Sequence, residues 1–325
     1  MRQKARNIVS ERRFVIVFQL GVLVFILAGL FSALFIGPKH TATVNDATNT
    51  EKKVPAASVS KEIPIKISAV EVRAKSAYVY DVKAKRMLYA KNETEALPLA
   101  SITKLMTALL AHELVSEDTN ATVSARAIQQ EGSSGLLPGE NLSINELNKL
   151  ALVSSSNDAA YALAASVGEL LGDNDPAGQF VQGMNLKAED LKLDSLSFKN
   201  TTGLDLSTSE AGAVGSAKDI SLLMEYILIN YPEILEPTRK SAARVYNSNG
   251  DYHDMENTNE IIYAIPNLLG SKTGYTDLAG GNLTIAFDAG LDRPIVVTVL
   301  GSTRDERFSD VLRLVTAVKE NITDI

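Results

Sequence analysis

One uncharged segment divides this chain into parts that must fold in different surroundings. Residues 14–36 contain no charged side chain, and a helix of that length would be about 34 Å long, enough to cross a bilayer core. Five of the thirteen residues before it are basic and one is acidic, which predicts a cytoplasmic N-terminus. We therefore predict a cytoplasmic segment over residues 1–13 and a transmembrane anchor over residues 14–36. A cleaved signal peptide is the alternative, but its apolar stretch is usually shorter.

The rest of the chain is predicted to lie outside the cytoplasm as a tethered domain. Residues 37–65 are rich in Thr, Ala, Asn, Lys, Glu, Pro and Ser and show little apolar periodicity, which is typical of a flexible linker. No second linker interrupts residues 66–325, so we predict a single folded domain there. An apolar content of 45% is sufficient for a substantial core and excludes a disordered protein.

Charge and residue usage exclude several classes of function. The net charge is −7 although the N-terminus is basic, and an acidic body without a basic stripe argues against nucleic-acid binding. The chain has no cysteine, which excludes disulfides, thiolate metal sites and a cysteine nucleophile. The three histidines are scattered, so a zinc enzyme is not expected. We predict no metal site and no cofactor.

The pattern of apolar residues predicts a mixed fold. Strand-like alternation comes first, a helical middle follows, and strands return before a final helix. Strands are predicted over residues 77–82, 86–89, 283–287 and 294–300, helices from Ser101 and over 158–171, 220–229 and 310–318, and a hairpin at Asn249-Gly250. Ser143 with Glu146, and Ser216 with Asp219, predict capping boxes. This order favours an α/β (α+β) fold, in which helices pack on one sheet and a mainly helical subdomain is inserted.

Three short motifs bring together residue types that support acyl transfer. In chain order they are Ser101-x-x-Lys104, Ser155-Ser156-Asn157 and Lys272-Thr273-Gly274. The first two patterns also occur by chance, at residues 58–61 in the linker and at 143–145. The three candidate motifs differ from these chance copies in their predicted context. Ser101 precedes an apolar helix that places Lys104 one turn away on the same face. The second motif fills a gap between helices, and the third precedes the final strands.

These residues would provide nucleophilic catalysis without histidine. A serine hydroxyl needs a base, and a desolvated lysine whose pKa is lowered can act as one. Ser101 would be the nucleophile, Lys104 its base and Ser155 a proton donor to the leaving group. Asn157 could hold the substrate amide, while the charge of Lys272 could attract an anionic group and further lower the pKa of Lys104. The structural alternative is a helix cap at Ser101, a solvated Lys104, and loop or strand-end roles for the others.

The sequence resembles the D-alanyl-D-alanine carboxypeptidase family, the low-molecular-weight penicillin-binding proteins of peptidase family S11. The resemblance covers roughly residues 68–320 and extends beyond the motifs, to residues 100–107, 155–160, 198–200, 203–204, 257–259, 272–277 and 279–280. It implies a penicillin-binding-protein/β-lactamase-like fold with an antiparallel sheet flanked by helices. It also implies a bacterial cell-envelope enzyme that removes the terminal D-alanine of peptidoglycan stem peptides and is acylated by β-lactams.

The same resemblance implies a role for each site residue. Ser101 would carry the acyl group, with Lys104 and Ser155 moving protons and Asn157 binding substrate. Lys272, Thr273 and Gly274 would bind the terminal carboxylate with support from Arg307, and the backbone N–H groups of Ser101 and Tyr275 would form the oxyanion hole.

The chain also departs from the family pattern. Ser156 replaces the usual glycine of Ser-Gly-Asn, which we expect to tune the site, and Leu99 stands where proline is common. Many members carry a C-terminal β-domain and an anchoring helix; we expect the N-terminal helix to anchor this chain instead. A class A β-lactamase would need a glutamate in an ExxLN-like loop after the second motif, and none is found. A D,D-endopeptidase and a non-catalytic wall-binding protein remain open as alternatives.

Overall fold

A computed structural model describes residues 67, 70–132, 134–172 and 174–322, all of which belong to one compact unit. The predicted cytoplasmic segment, transmembrane anchor and linker lie outside these residues, so all three stay predictions. In the described part of the chain, no helix has the length and apolar character needed to span a membrane.

The secondary structure runs from strands through helices back to strands. The strands are β1 Ser76–Asp81, β2 Arg86–Lys91, β3 Leu97–Pro98, β4 Asn120–Thr122, β5 Asn141–Ser143, β6 Ser197–Phe198, β7 Ala213–Gly215, β8 Ala242–Tyr246, β9 Tyr252–Glu256, β10 Leu268–Thr276, β11 Gly280–Asp288 and β12 Pro294–Ser302. The helices are α1 Lys104–Leu114, α2 Ile144–Leu152, α3 Asn157–Gly168, α4 Pro176–Asp190, α5 Ala217–Asn230, α6 Pro232–Leu235 and α7 Glu306–Ile322.

The central sheet is antiparallel and has the strand order β10-β11-β12-β1-β2. The first and last parts of the folded chain meet in it, because β1 pairs with β12 and Val79 lies opposite Val297. β10 is an edge strand of this sheet, paired with β11 alone. Lys272, Thr273 and Gly274 lie on this edge strand. The unpaired edge of β10 therefore faces the helical part of the molecule.

Alternate side chains of strand β1 belong to two different buried clusters, one on each face of the sheet. Ala77 and Val79 in β1 belong to a buried cluster with apolar residues of α7, whereas Tyr78 and Tyr80 belong to a second cluster with residues of α5. Successive strand residues point to opposite faces, so this alternation lets both helices pack on one sheet. Helices α1 to α4 extend the second cluster into a mainly helical region.

Local sequence signals explain many element boundaries. The Ser143 hydroxyl accepts a hydrogen bond from Glu146 N, and Ser216 caps α5 in the same way through Asp219 N, both at 3.1 Å. Asn249-Gly250 lies in the turn between β8 and β9, where Gly250 has a φ of +89°. These signals depend on neighbours within three residues, so the sequence predicts them well.

Three predicted helices have wrong bounds. The final helix, predicted over residues 310–318, spans Glu306–Ile322. The helix predicted over residues 158–171 ends at Gly168, because Leu170 and Leu171 are exposed and add no packing. The helix predicted to begin at Ser101 begins at Lys104, after a 3₁₀ turn over Ala100–Thr103. No side chain caps either start, so the alternative interpretation of Ser101 as a helix cap is also wrong.

Candidate active site

The turn that carries Ser101 is held from both sides by side-chain hydrogen bonds. Ala100 has a φ of +48°, a strained value for a residue with a side chain. Thr103 Oγ1 donates to Ala100 O at 2.7 Å, and the buried amide of Asn282 donates to the carbonyls of Pro98 and Leu99 at 2.9 and 3.0 Å. The half-buried Ser101 is thus presented on a fixed backbone next to the sheet.

Lys104 is completely buried, and its amine has three acceptors. Nζ lies 2.7 Å from Ser101 Oγ, 2.6 Å from Asn157 Oδ1 and 3.3 Å from Thr202 O. Burial lowers the pKa of Lys104 from 10.5 to about 7, because a charged amine loses its hydration there. A neutral amine could donate to Asn157 and Thr202 and accept the Ser101 hydroxyl proton at its lone pair. The geometry is that of a serine paired with a base.

The second motif occupies the junction of α2 and α3. Ser155 has a φ of +61°, which turns the chain between the helices, and Ser156 Oγ caps α3 by accepting from Ala159 N at 3.0 Å. Asn157 is the first residue of α3. Its Nδ2 donates to Glu131 O at 2.5 Å while its Oδ1 faces Lys104. The junction therefore brings two functional side chains, Ser155 and Asn157, beside the lysines.

The third motif lies on the edge strand β10 and faces the other two. The buried Lys272 donates through Nζ to Ser155 Oγ at 2.8 Å and to Thr273 O at 2.9 Å. Burial, followed by the charges of Lys104 and Arg307, holds the pKa of Lys272 well below its ordinary value. The sequence predicts that the charge of Lys272 lowers the pKa of Lys104. In the structure, burial alone lowers the pKa of Lys104, and the repulsion between the two amines lowers the pKa of Lys272 instead.

The backbone of β10 packs against the Ser101 turn through Gly274. A Cβ atom at this position would lie 2.8 Å from Leu99 O and 3.2 Å from Ala100 Cβ, closer than side chains tolerate. Arg307, 6% exposed, donates to Gly274 O at 2.9 Å from the start of α7. Tyr275 follows on the strand and is 46% exposed, with the Arg304 guanidinium 5.5 Å from its ring centroid.

The site holds three buried basic side chains that lack a counter-ion. Within the described residues, Lys104, Lys272 and Arg307 form no ion pair with a carboxylate, and the buried Nε of Arg307 has no hydrogen-bond partner. The Arg307 guanidinium keeps its charge, and a cation without a counter-ion in a desolvated site attracts an anion strongly. This arrangement can bind a carboxylate beside a serine and its base.

The structure adds residues that sequence reasoning did not assign to the site. Thr202 and Glu131 contribute only backbone carbonyls, which leave no signal in the side chains. Thr258 Oγ1 lies 2.5 Å from Thr273 Oγ1. Asn282 stabilises the Ser101 turn through its hydrogen bonds to the carbonyls of Pro98 and Leu99. Asn282 could have been noticed as an amide directly before the strand predicted over residues 283–287, and Thr258 lies in a stretch that carries the family resemblance.

An antiparallel sheet flanked by helices, with a serine and a buried lysine beside its edge strand, defines the penicillin-binding-protein class of folds. Penicillin-binding protein D2 from Listeria monocytogenes, solved in an ampicillin-bound form, is similar with a TM-score of 0.63 and 30% sequence identity. The likeness covers 77% of this chain and 98% of that one. The predicted mixed fold with an antiparallel sheet is thereby confirmed.

The sequence profile of the D-alanyl-D-alanine carboxypeptidase family, Peptidase S11, matches residues 56–303, and the chain belongs to this family. It is 34% identical to D-alanyl-D-alanine carboxypeptidase DacF from Bacillus subtilis over 74% of this chain. It spans 61% of the length of that relative. A D-alanyl-D-alanine endopeptidase from Escherichia coli is 28% identical, with 78% of this chain and 79% of the relative covered.

Proposed function

We propose that this protein is a serine-type D-Ala-D-Ala carboxypeptidase that acts on peptidoglycan stem peptides. The observation that carries the proposal is the pair of buried lysines, each hydrogen-bonded to a different serine: Lys104 to Ser101 and Lys272 to Ser155. Membership of the family and the 34% identity to a carboxypeptidase support the same reaction. No metal or cofactor is needed for the proposed steps.

Acylation would begin at Ser101. Neutral Lys104 takes the hydroxyl proton as Ser101 Oγ attacks the carbonyl carbon of the penultimate D-alanine. The backbone N–H groups of Ser101 and Tyr275 stabilise the oxyanion. Collapse of the tetrahedral intermediate breaks the amide bond, and the leaving amine takes a proton through Ser155. Free D-alanine departs, and water then hydrolyses the ester on Ser101 and regenerates the hydroxyl.

Substrate binding would depend on the charges around β10. The terminal carboxylate binds beside Lys272 and Thr273, with Arg307 adding positive potential behind Gly274. A carboxylate at this position supplies the counter-charge that the buried Lys272 lacks, so its ammonium form becomes favourable when substrate binds. Asn157 holds the amide on the acyl side of the scissile bond.

The proposal is tested by covalent labelling and product analysis on the full-length chain. A fluorescent penicillin, which acylates the nucleophile of such enzymes, should label Ser101, and the peptide substrate should release D-alanine. Ser101→Ala should lose both. Ser154→Ala is the matched control and should retain both, because the hydrogen bond that the described residues show for the Ser154 hydroxyl goes to Leu150 O in the preceding helix α2. Undiminished labelling of Ser101→Ala would contradict the assignment, and labelling without D-alanine release would indicate a non-catalytic penicillin-binding protein.

An endopeptidase that cuts D-Ala cross-links is the second candidate. Two relatives, from Escherichia coli and Pseudomonas aeruginosa, are named D-alanyl-D-alanine endopeptidases and are 28% and 29% identical. Both reactions would use the same residues, since each cleaves a bond after D-alanine. Incubation with purified cross-linked dimers and with monomeric pentapeptides distinguishes them by which substrate disappears first.

We also propose that residues 14–36 anchor the enzyme in the cell membrane as a single uncleaved span. The support is the uncharged segment and the basic residues that precede it. Residues 1–13 would lie in the cytoplasm, residues 37–65 would act as a flexible tether and residues 66–325 would form the catalytic domain on the outer side of the membrane.

A further inference from the structure

A threonine outside the three motifs contacts two of the segments that carry them. Thr258 follows β9, and its backbone N–H donates to Val153 O at 3.1 Å. Val153 directly follows α2, two residues before Ser155. The Thr258 hydroxyl has its Oγ1 2.5 Å from Thr273 Oγ1 on the edge strand β10. One residue therefore joins the junction of α2 and α3 to the strand at which the substrate carboxylate is proposed to bind.

The residues on both sides of Thr258 are fixed by hydrogen bonds of the protein itself. Asn257 donates through Nδ2 to the carbonyls of Thr238 and Lys240, both at 2.9 Å. The Oδ1 of the same side chain accepts from Asn259 N at 2.8 Å, which closes a tight turn around Thr258. A side chain that is already held in place loses little entropy when a ligand binds beside it. The Thr258 hydroxyl is therefore positioned without help from the substrate.

The direction of the hydrogen bond between the two hydroxyls decides what Thr273 can offer to a ligand. Each hydroxyl has one proton, and their contact uses only one of the two. If Thr273 donates to Thr258, its proton is not available to a ligand; if Thr258 donates, the Thr273 proton is free. The other acceptor near the Thr258 hydroxyl is Val153 O, but it lies 3.5 Å away and already accepts the Thr258 backbone N–H. A hydrogen bond at that distance is weak, so the Thr258 proton is better used on Thr273.

We propose that Thr258 is a positioning residue, which orients the Thr273 hydroxyl so that it donates to the terminal carboxylate of the substrate. The Thr258 hydroxyl donates to Thr273 Oγ1, and the Thr273 proton is thereby directed away from Thr258 and toward the carboxylate. A hydrogen bond to a charged acceptor is roughly twice as strong as one between neutral groups, so an anionic ligand gains most from this arrangement. The proposal rests on the proposed function and adds to it a residue that lies outside the three motifs.

The test compares rates of acylation by a penicillin, whose carboxylate takes the place of the peptide carboxylate, in variants of the full-length chain. Thr258→Ala should lower the second-order rate constant about fivefold, the typical effect of one hydrogen bond. Thr258→Ser keeps the hydroxyl and should restore the rate to within about twofold of the unsubstituted chain. When added to Thr273→Ala, which removes the hydroxyl that is oriented, Thr258→Ala should cause no further loss.

The controls separate this role from a general effect on the fold. Thr122→Ala is the matched control and should leave the rate unchanged, because the exposed Thr122 hydroxyl likewise donates to one side chain, Asn141 Oδ1 at 2.7 Å, in the small sheet of β4 and β5. An unchanged rate in Thr258→Ala, an equal loss with and without the Thr273 hydroxyl, or no recovery in Thr258→Ser would each overturn the proposal. The unsubstituted chain tests the proposed function separately. Absence of labelling at Ser101 would overturn both, whereas normal labelling with an unaffected Thr258→Ala variant would overturn the role of Thr258 alone.

Discussion

Lys104 and Lys272 are both buried lysines, but their partners predict different tasks. Lys104 contacts the nucleophile and must lose its proton, whereas Lys272 contacts Ser155 and is proposed to meet the substrate carboxylate as a cation. Arginine keeps the charge but does not deprotonate near neutral pH. Lys272→Arg should therefore retain some acylation by a β-lactam, and Lys104→Arg should abolish it. Acylation rates of both variants, with folding verified by thermal melting, are the measurement; greater activity of Lys104→Arg would refute this division of roles.

The lowered pKa of Lys104 also predicts the pH dependence of acylation. Only the neutral amine can accept the Ser101 proton, and its fraction increases as the pH rises through a pKa of about 7. The acylation rate constant should rise toward alkaline pH with a midpoint near 7, and below it fall about tenfold for each pH unit. Stopped-flow measurement with a penicillin, whose carboxylate stays charged over this range, gives the profile. A rate independent of pH between about 5 and 9 would show that Lys104 is not the base.

At the scale of elements, the contact between β10 and the Ser101 turn depends on the absence of a side chain at Gly274. Gly274→Ala places a methyl group 2.8 Å from Leu99 O, so strand and turn must separate. We expect a loss of about 1–3 kcal/mol in the free energy of unfolding and at least tenfold slower acylation. In the control Gly172→Ala, the new methyl group would lie an ordinary 3.5 Å from the side chain of Gln179. Equal effects of the two substitutions would contradict this account.

The helix cap at Ser156 explains how this chain tolerates a serine in a triplet that usually contains glycine. Ser156 Oγ accepts from Ala159 N, which satisfies one free donor at the start of α3. Ser156→Ala should cost about 1 kcal/mol of unfolding free energy, and Ser156→Gly only a few tenths. Denaturant unfolding of the two variants compares these costs. A larger loss for glycine than for alanine would show that the hydroxyl does not stabilise the helix.

For the whole molecule, the prediction concerns attachment to the membrane. If residues 14–36 form an uncleaved span, the intact mass of the protein recovered from membranes should include residues 1–36, and the protein should need detergent for release. A protease added to intact spheroplasts should remove the catalytic domain and leave the anchored fragment. Removal of residues 1–36 from the coding sequence is the control and should keep the enzyme out of the membrane fraction. A mature N-terminus after residue 36 would instead identify a signal peptide.

Local features could be derived from the sequence because they depend on near neighbours. The caps at Ser143 and Ser216 and the hairpin at Asn249-Gly250 each involve residues within a few positions. The approach of Lys104 to Ser101 belongs to the same class, since residues three apart lie on one helical face. The sequence predicts that α1 starts at Ser101, but the helix starts at Lys104. Asn282 and Gly274 hold Ser101 in a 3₁₀ turn, and both lie too far along the chain for a local pattern to reveal the contact.

The long-range contacts were decided by the tertiary structure alone. Ser155 and Lys272 are 117 residues apart, and no periodicity in the chain predicts that their side chains meet. The burial that lowers the pKa of Lys104 arises because α3 and the Thr202 loop pack over it. The sequence by itself determined which residues could perform the chemistry and the local turns that carry them. Packing of distant segments determined their distances and desolvation, because these depend on the whole fold.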